Sequence, residues 1–135
     1  MNSFKATLLS ATLGAVLLFA AQSYAADMIY RSGPFKGPKA NTGSVSYANE
    51  NGRMMLTLSD DFKSPDAPDP HWQVIDSQGN IYLLQKLSIK GDKMNRKIAL
   101  PAYIKDIVKV QMWCAFAETN LGEVVFEKPI MVSSN

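Results

Sequence analysis

Two side chains of this sequence are candidates for redox or ligand chemistry, Cys114 and His71, and each residue type occurs once. A thiolate is a nucleophile and a soft metal ligand, and a neutral imidazole binds zinc, copper or haem iron. Counting excludes a blue-copper site, which needs two histidines, and a structural zinc site, which needs four Cys or His ligands. The Cys-x-x-Cys-His motif of covalent haem is absent. The sequence predicts no metal site, but a non-covalent haem held by Cys114, His71 or a methionine stays open.

Cys114 lies in the most strongly predicted strand, residues 107–116. One face of that strand would carry Val108, Val110, Met112, Cys114 and Phe116. Because side chains alternate across a strand, we expect Cys114 to face the core. A thiol in apolar surroundings has a raised pKa and is inert as a nucleophile, so Cys114 would then be a small core residue. In the redox interpretation, the candidate cofactor contacts are His71, Trp113 and Met112.

An acidic and proline-rich loop precedes His71. Residues 60–70 contain three prolines and four aspartates, which predicts a rigid, exposed loop. Exposed loops on a rigid scaffold commonly carry binding functions. An alternative site is therefore a recognition surface made of Asp66, Asp69, His71 and Trp72.

Short apolar runs alternate with turn residues along most of the chain, and no stretch keeps a helical period for three turns. Asn51-Gly52 is the favoured pair of a hairpin turn. The pattern predicts one all-β domain, an antiparallel β-sandwich or barrel of about seven to eight short strands. We place it at residues 42–132, after an extended lead-in at residues 26–41. The predicted strands cover residues 44–48, 54–58, 72–76, 81–87, 96–100, 107–116 and 124–132.

The N-terminus has the pattern of a cleavable secretory signal peptide over residues 1–25. Lys5 gives a positive start, residues 6–20 are apolar, and small residues at Ser23 and Ala25 precede the expected cut after Ala25. The apolar run of about 15 residues is shorter than the roughly 20 that a membrane-spanning helix needs. We therefore expect a periplasmic or secreted protein with no integral membrane segment in the mature chain.

The composition gives little attraction to polyanions. The formal net charge is +2, so we expect no nucleic-acid partner. The single cysteine cannot form an intramolecular disulfide, although export favours disulfides in small domains. The domain must therefore rely on its apolar core, and the free thiol requires an explanation.

A series of short segments runs in order through most of the mature chain. The segments are Phe35-Lys36-Gly37-Pro38-Lys39, Thr42-Gly43-Ser44-Val45, Leu56-Thr57-Leu58-Ser59-Asp60-Asp61-Phe62, Pro68-Asp69-Pro70-His71, Tyr82-Leu83-Leu84 with Leu87, Ile98-Ala99-Leu100-Pro101, Tyr103-Ile104, and Val108-Lys109-Val110-Gln111-Met112-Trp113-Cys114-Ala115-Phe116. Over about residues 35–126, this order resembles the DM-thirteen domain, a predicted electron-transfer domain of exported and cell-surface proteins. The family's Gly-Pro-Asp segment has Ala67 in place of its glycine.

The resemblance implies a β-sandwich-like domain with a redox role centred on the cysteine, here Cys114. It also implies a redox or envelope partner protein, whose identity is unknown, as is the identity of any cofactor. Whether the domain is an enzyme stays undecided. The alternative hypothesis is a non-catalytic binding or envelope-assembly domain of the periplasm, in which Cys114 is core packing.

Overall fold

The computed structural model describes residues 14, 29–89, 91 and 93–132. The predicted signal peptide, with its cleavage site after Ala25, lies outside the described residues apart from Gly14. Within the described part of the chain, no helix is long and apolar enough to cross a membrane.

The described residues form ten β-strands and no helix, which confirms the predicted all-β class. All strand pairs are antiparallel and most belong to two packed four-stranded sheets, consistent with a β-sandwich. The strands are β1 (Tyr30–Pro34), β2 (Ser44–Glu50), β3 (Arg53–Leu58), β4 (Pro70–Ile75), β5 (Ile81–Lys86), β6 (Ser88–Ile89), β7 (Lys93–Met94), β8 (Lys97–Ala99), β9 (Asp106–Cys114) and β10 (Thr119–Met131).

The first sheet has the order β1-β2-β3-β8, the second has the order β10-β9-β4-β5, and β6 and β7 form a short separate hairpin. The β2–β3 hairpin turns at Asn51-Gly52, as predicted. Both residues have positive φ, 52° and 79°, which is the conformation that an Asn-Gly turn favours.

The core lies between the two sheets and follows from the alternation of apolar side chains. Met54, Leu56 and Leu58 of β3 point inward from one sheet, and Trp72 and Val74 of β4 point inward from the other. The burial of such apolar side chains provides most of the favourable free energy of folding in a domain without disulfides.

β4 and β9 are the two central strands of the second sheet, and their pairing decides which side chains face the core. Pro70 lies opposite Cys114, His71 opposite Trp113, and Trp72 opposite Met112. Paired residues point to the same side of a sheet. The inward positions are therefore Pro70, Trp72 and Val74 on β4 and Cys114, Met112 and Val110 on β9, and all six are buried.

The prediction that Cys114 faces the core is confirmed. The same prediction for two other residues of that face, Phe116 and Val108, is wrong. Phe116 lies beyond the end of β9, in the turn of residues 115–118, and is 79% exposed. The β9–β10 ladder is irregular between Lys109 and Ile107. The inward alternation shifts there, so Ile107 is buried and Val108 is only half-buried.

The segment expected as an extended lead-in contains a strand and core residues from Tyr30 onward. β1 pairs with β2, and Phe35 and Ala40 belong to the core. Gly33 and Pro34 are the end of β1, which is consistent with the occurrence of Gly and Pro at the ends of edge strands as well as in turns.

The two sheets are joined where the chain leaves β1. The backbone amides of Lys36 and Glu123 each donate to the other residue's carbonyl oxygen at 2.9 Å. Gly37 and Gly122 allow this approach, because a Cβ on Gly37 would overlap the Gly122 backbone and a Cβ on Gly122 would overlap the Ala40 carbonyl oxygen.

Replacing Gly122 with alanine tests this junction. We expect Gly122→Ala to lower the free energy of unfolding by roughly 3 kcal/mol or more, because backbone atoms must shift to admit the methyl group. Gly33→Ala is the matched control, since no atom lies within 4 Å of the position that its methyl group would take, and its effect should stay within about 0.5 kcal/mol. Urea unfolding measures both values, and equal stabilities of the two variants would contradict the close junction.

Candidate functional site

Cys114 ends β9 on the inner side of the second sheet. It lies opposite Pro70 of β4 and Thr119 of β10. Its side chain is only 1% exposed and belongs to the core cluster that also contains Met112 and Trp72. The turn of residues 115–118 follows directly, so the thiol lies beneath the connection between β9 and β10.

Backbone amides surround the sulfur on the side of this turn. The Ala117 amide donates a hydrogen bond to Cys114 Sγ at 3.4 Å. The chain turns back sharply enough to place this amide over the sulfur, and Glu118 takes a φ of 51° in the same turn. The Ala115 amide donates to the Asp69 carbonyl oxygen at 3.0 Å, which ties the beginning of the turn to the chain just before β4.

These amides favour the ionised form of the thiol. The hydrogen bond from the Ala117 amide holds the pKa of Cys114 below its ordinary value, and the amides of Asp69 and Phe116 act in the same direction. Burial and the negative charge of the Asp69 carboxylate oppose this shift without cancelling it. The expectation of a raised pKa was wrong, because it considered the apolar neighbours of Cys114 and not the backbone donors of the turn.

His71 lies on the outer side of the same sheet. Its Nδ1 is 3.0 Å from the carbonyl oxygen of Asp69. A carbonyl oxygen only accepts, so Nδ1 carries the proton and, in the neutral ring, Nε2 is the unprotonated nitrogen. The same Nδ1 lies 3.6 Å from Asp69 Oδ1, and Lys86 Nζ lies 3.0 Å from that oxygen.

Asp69 connects the two sides of the sheet. Its carbonyl oxygen accepts from both Ala115 and His71, and its amide is among those that lower the pKa of Cys114. Its carboxylate oxygen Oδ1 is buried and has no hydrogen bond of good geometry. Lys86 therefore balances this oxygen by charge at short distance rather than by a directed hydrogen bond.

The structure separates the side chains predicted to share a cofactor. Met112 is buried on the inner side with Cys114. His71 of β4 and Trp113 of β9 lie opposite each other in the ladder, and both are on the outer side of the sheet. Cys114 and His71 cannot both bind one haem iron, because the sheet lies between them. The arrangement does not fit a haem held between these two residues.

The alternative recognition surface is also divided. Trp72 is fully buried in β4, and its indole Nε1 donates to the Asn95 carbonyl oxygen at 2.8 Å. Its prediction as a surface residue was wrong, because Trp72 shares the inward side of β4 with Val74. Asp66 is exposed, and its carbonyl oxygen accepts from Lys39 Nζ at 2.8 Å.

Sequence reasoning missed the groups that lower the pKa of Cys114. The donors are backbone amides of the turn and of Asp69, and no residue type in the sequence marks them. Among the residues that the structure describes, no group of three or more His, Cys, Asp or Glu side chains is placed to hold a metal ion.

Comparison with known proteins adds no relative. The chain matches no family model, no curated protein and no solved structure.

The lowered pKa of Cys114 predicts a specific pH dependence of stability. Consider pH values between the pKa of Cys114 in the folded state and its pKa in the unfolded state. In this interval the unfolded chain binds more protons than the folded one, so the stability of the folded state increases as pH rises. This contribution is complete above the unfolded pKa and is lost as pH falls through the folded one. The difference in urea midpoint between wild type and Cys114→Ala should therefore grow from about pH 7 to about pH 10. A difference that shrinks over this range would show that the thiolate is disfavoured in the folded state.

Proposed function

We propose that this chain is an exported thiol redox domain in which Cys114 is the reacting group. The observation that carries the proposal is the hydrogen bond from the Ala117 amide to Cys114 Sγ, made by a turn that is otherwise open to solvent. Stabilisation of a thiolate by donors is how proteins prepare a cysteine for nucleophilic and redox chemistry.

Access to the sulfur depends on the turn rather than on the core. Residues 116–118 are exposed, and the turn is held by the hydrogen bonds from Ala115 to Asp69 and from Ala117 to the sulfur itself. Local opening of an exposed turn breaks few contacts and costs much less than global unfolding. A small reagent can therefore reach Cys114 while the sandwich stays folded.

The proposed step is a two-electron oxidation by a peroxide. The Cys114 thiolate attacks one peroxide oxygen, a sulfur–oxygen bond forms, the oxygen–oxygen bond breaks, and the leaving hydroxide takes a proton to become water. The sulfur is oxidised to sulfenic acid and the peroxide is reduced. A thiol of a partner protein then forms a mixed disulfide with release of water, and a second thiol displaces Cys114 in its reduced form.

The resemblance to the DM-thirteen domain supports the same residue. Its Trp-Cys segment corresponds to Trp113-Cys114 at the end of β9. The proposal combines the family's redox role with the predicted export. Export favours disulfides in small domains, so a cysteine that stays free in an exported domain is consistent with a redox role.

Peroxide trapping tests the proposal on the folded protein. We expect hydrogen peroxide with dimedone to label Cys114 in native buffer, faster than the protein unfolds, and with a rate that reaches its maximum at lower pH than an ordinary thiol. Mass spectrometry locates the label, and the unfolding rate is measured separately in urea.

The matched control is Ala102→Cys on a Cys114→Ser background, which places an ordinary thiol in an exposed turn. Its labelling should follow the thiolate fraction of an unperturbed cysteine. Labelling of Cys114 that occurs only at the rate of global unfolding, with no shift of its pH profile, would identify Cys114 as core packing and overturn the proposal.

A further inference from the structure

The two four-stranded sheets end in four edge strands, and three of these are protected against pairing with another chain. β1 ends at Pro34, and the backbone pair of Lys36 and Glu123 holds the chain beside β10. β10 itself contains Pro129, and its ladder is irregular. β8 is only three residues long. Proline, irregular ladders and short length are the means by which natural sheets avoid edge-to-edge pairing.

β5 is the remaining edge strand, and it has less protection. It is six residues long, contains no proline and pairs with β4 alone. Its residues on the outer side of the sheet, Ile81 and Leu83, are 62% and 52% exposed. Lys86, at the end of the strand, is its single charged residue. An edge with exposed aliphatic side chains and no charge at its centre is a site where another strand adds.

The backbone direction of β5 places its outward groups at Ile81 and Leu83. The Asp76 amide donates to the Asn80 carbonyl oxygen at 3.0 Å, so Asn80 faces β4. The register stays regular up to Leu83. Alternate residues of an antiparallel strand face opposite neighbours, so the amides and carbonyls of Ile81 and Leu83 face away from β4. Among the residues that the structure describes, none hydrogen-bonds these outward groups.

The open part of this edge is short, because the chain covers its far end. The β4–β5 ladder becomes irregular after Leu83. Beyond it, the carbonyl oxygens of Lys86 and Leu87 accept from the side chain and the amide of Asn95 at 3.5 and 2.7 Å. A contact through the open positions alone is smaller than the roughly 1,200 Å² that a stable interface buries, so any association here is weak.

The open positions of one copy match those of a second copy. In an antiparallel pair with its two-fold axis at Tyr82, Ile81 of each copy lies opposite Leu83 of the other. Each exposed aliphatic side chain then packs against another on the outer side. The same arrangement places the two Lys86 residues at opposite ends of the contact, each toward the turn that carries Asp76 in the other copy. Apolar groups therefore meet apolar groups, and like charges stay apart.

We propose that the chain forms a weak two-fold dimer through β5, in which the second sheets of two copies join into one continuous antiparallel sheet. Main-chain hydrogen bonds between Ile81 of one copy and Leu83 of the other hold the pair, and their side chains leave water together. The proposal does not depend on the chemistry of Cys114, because β4 and β9 separate the thiol from this edge.

Sedimentation equilibrium of the mature chain tests the dimer. We use concentrations from about 10 µM to about 1 mM, with a reductant present so that Cys114 cannot cross-link two copies. The average mass should rise with concentration from that of the monomer toward that of the dimer and no further, because a two-fold contact closes on itself. A monomer at every concentration, or continued growth past the dimer, would overturn the proposal.

Leu83→Lys locates the contact, and Val125→Lys is its matched control. Val125 is 60% exposed on the outer side of β10, at the opposite edge of the same sheet. Leu83→Lys places a charge within the contact and should stay monomeric up to about 1 mM, whereas Val125→Lys should dimerise as the wild type does. Circular dichroism confirms that both are folded. Equal behaviour of the two variants, whether both dimerise or neither does, would contradict a contact through β5.

Hydrogen exchange in the wild type provides a test that needs no substitution. The amides of Ile81 and Leu83 should exchange several-fold more slowly at about 1 mM than at about 50 µM, because pairing protects them. The amide of Tyr82 faces β4 in either state, so it is the internal control and should change less. Equal exchange of Ile81 and Leu83 at the two concentrations would overturn the proposal even if the Leu83→Lys variant does not fold.

Discussion

The register between β4 and β9 is the constraint on which the rest of this structure depends. Pairing of Pro70 with Cys114 and of Trp72 with Met112 turns the thiol and the indole into the core. The same register turns His71 and Trp113 outward. A shift of β4 by one residue against β9 would turn β4 over, burying the imidazole of His71 and exposing the indole of Trp72. The register is fixed because only one side offers a continuous apolar surface to the first sheet.

Backbone geometry also sets the acidity of the thiol at the end of β9. At the end of β9, the chain turns back so that the Ala117 amide meets Cys114 Sγ, which makes a buried sulfur more acidic than its apolar neighbours would allow. At the edge of β10, the backbone pair of Lys36 and Glu123 joins the two sheets.

The sequence was informative wherever side-chain periodicity governed the structure. The strand at residues 54–58, the Asn51-Gly52 hairpin and the inward position of Cys114 were all predicted, because burial of alternate apolar residues leaves one arrangement. It failed at Trp72, which the alternation of β4 turns into the core together with Val74, and at Phe116, which lies beyond the end of β9. It also failed for the pKa of Cys114, because peptide amides carry no signature in the sequence and their direction depends on the turn.

The central claim is that backbone amides hold Cys114 ready to ionise within a folded core. Nuclear magnetic resonance of the Cys114 Cβ carbon as a function of pH measures this ionisation in the native protein, and the Ala117 amide proton reports on its donor. We predict that both signals titrate together with a midpoint below that of an ordinary thiol, in a protein that stays folded throughout. A midpoint at or above the ordinary value, with no response from the Ala117 amide, would contradict the account and leave Cys114 as a packing residue.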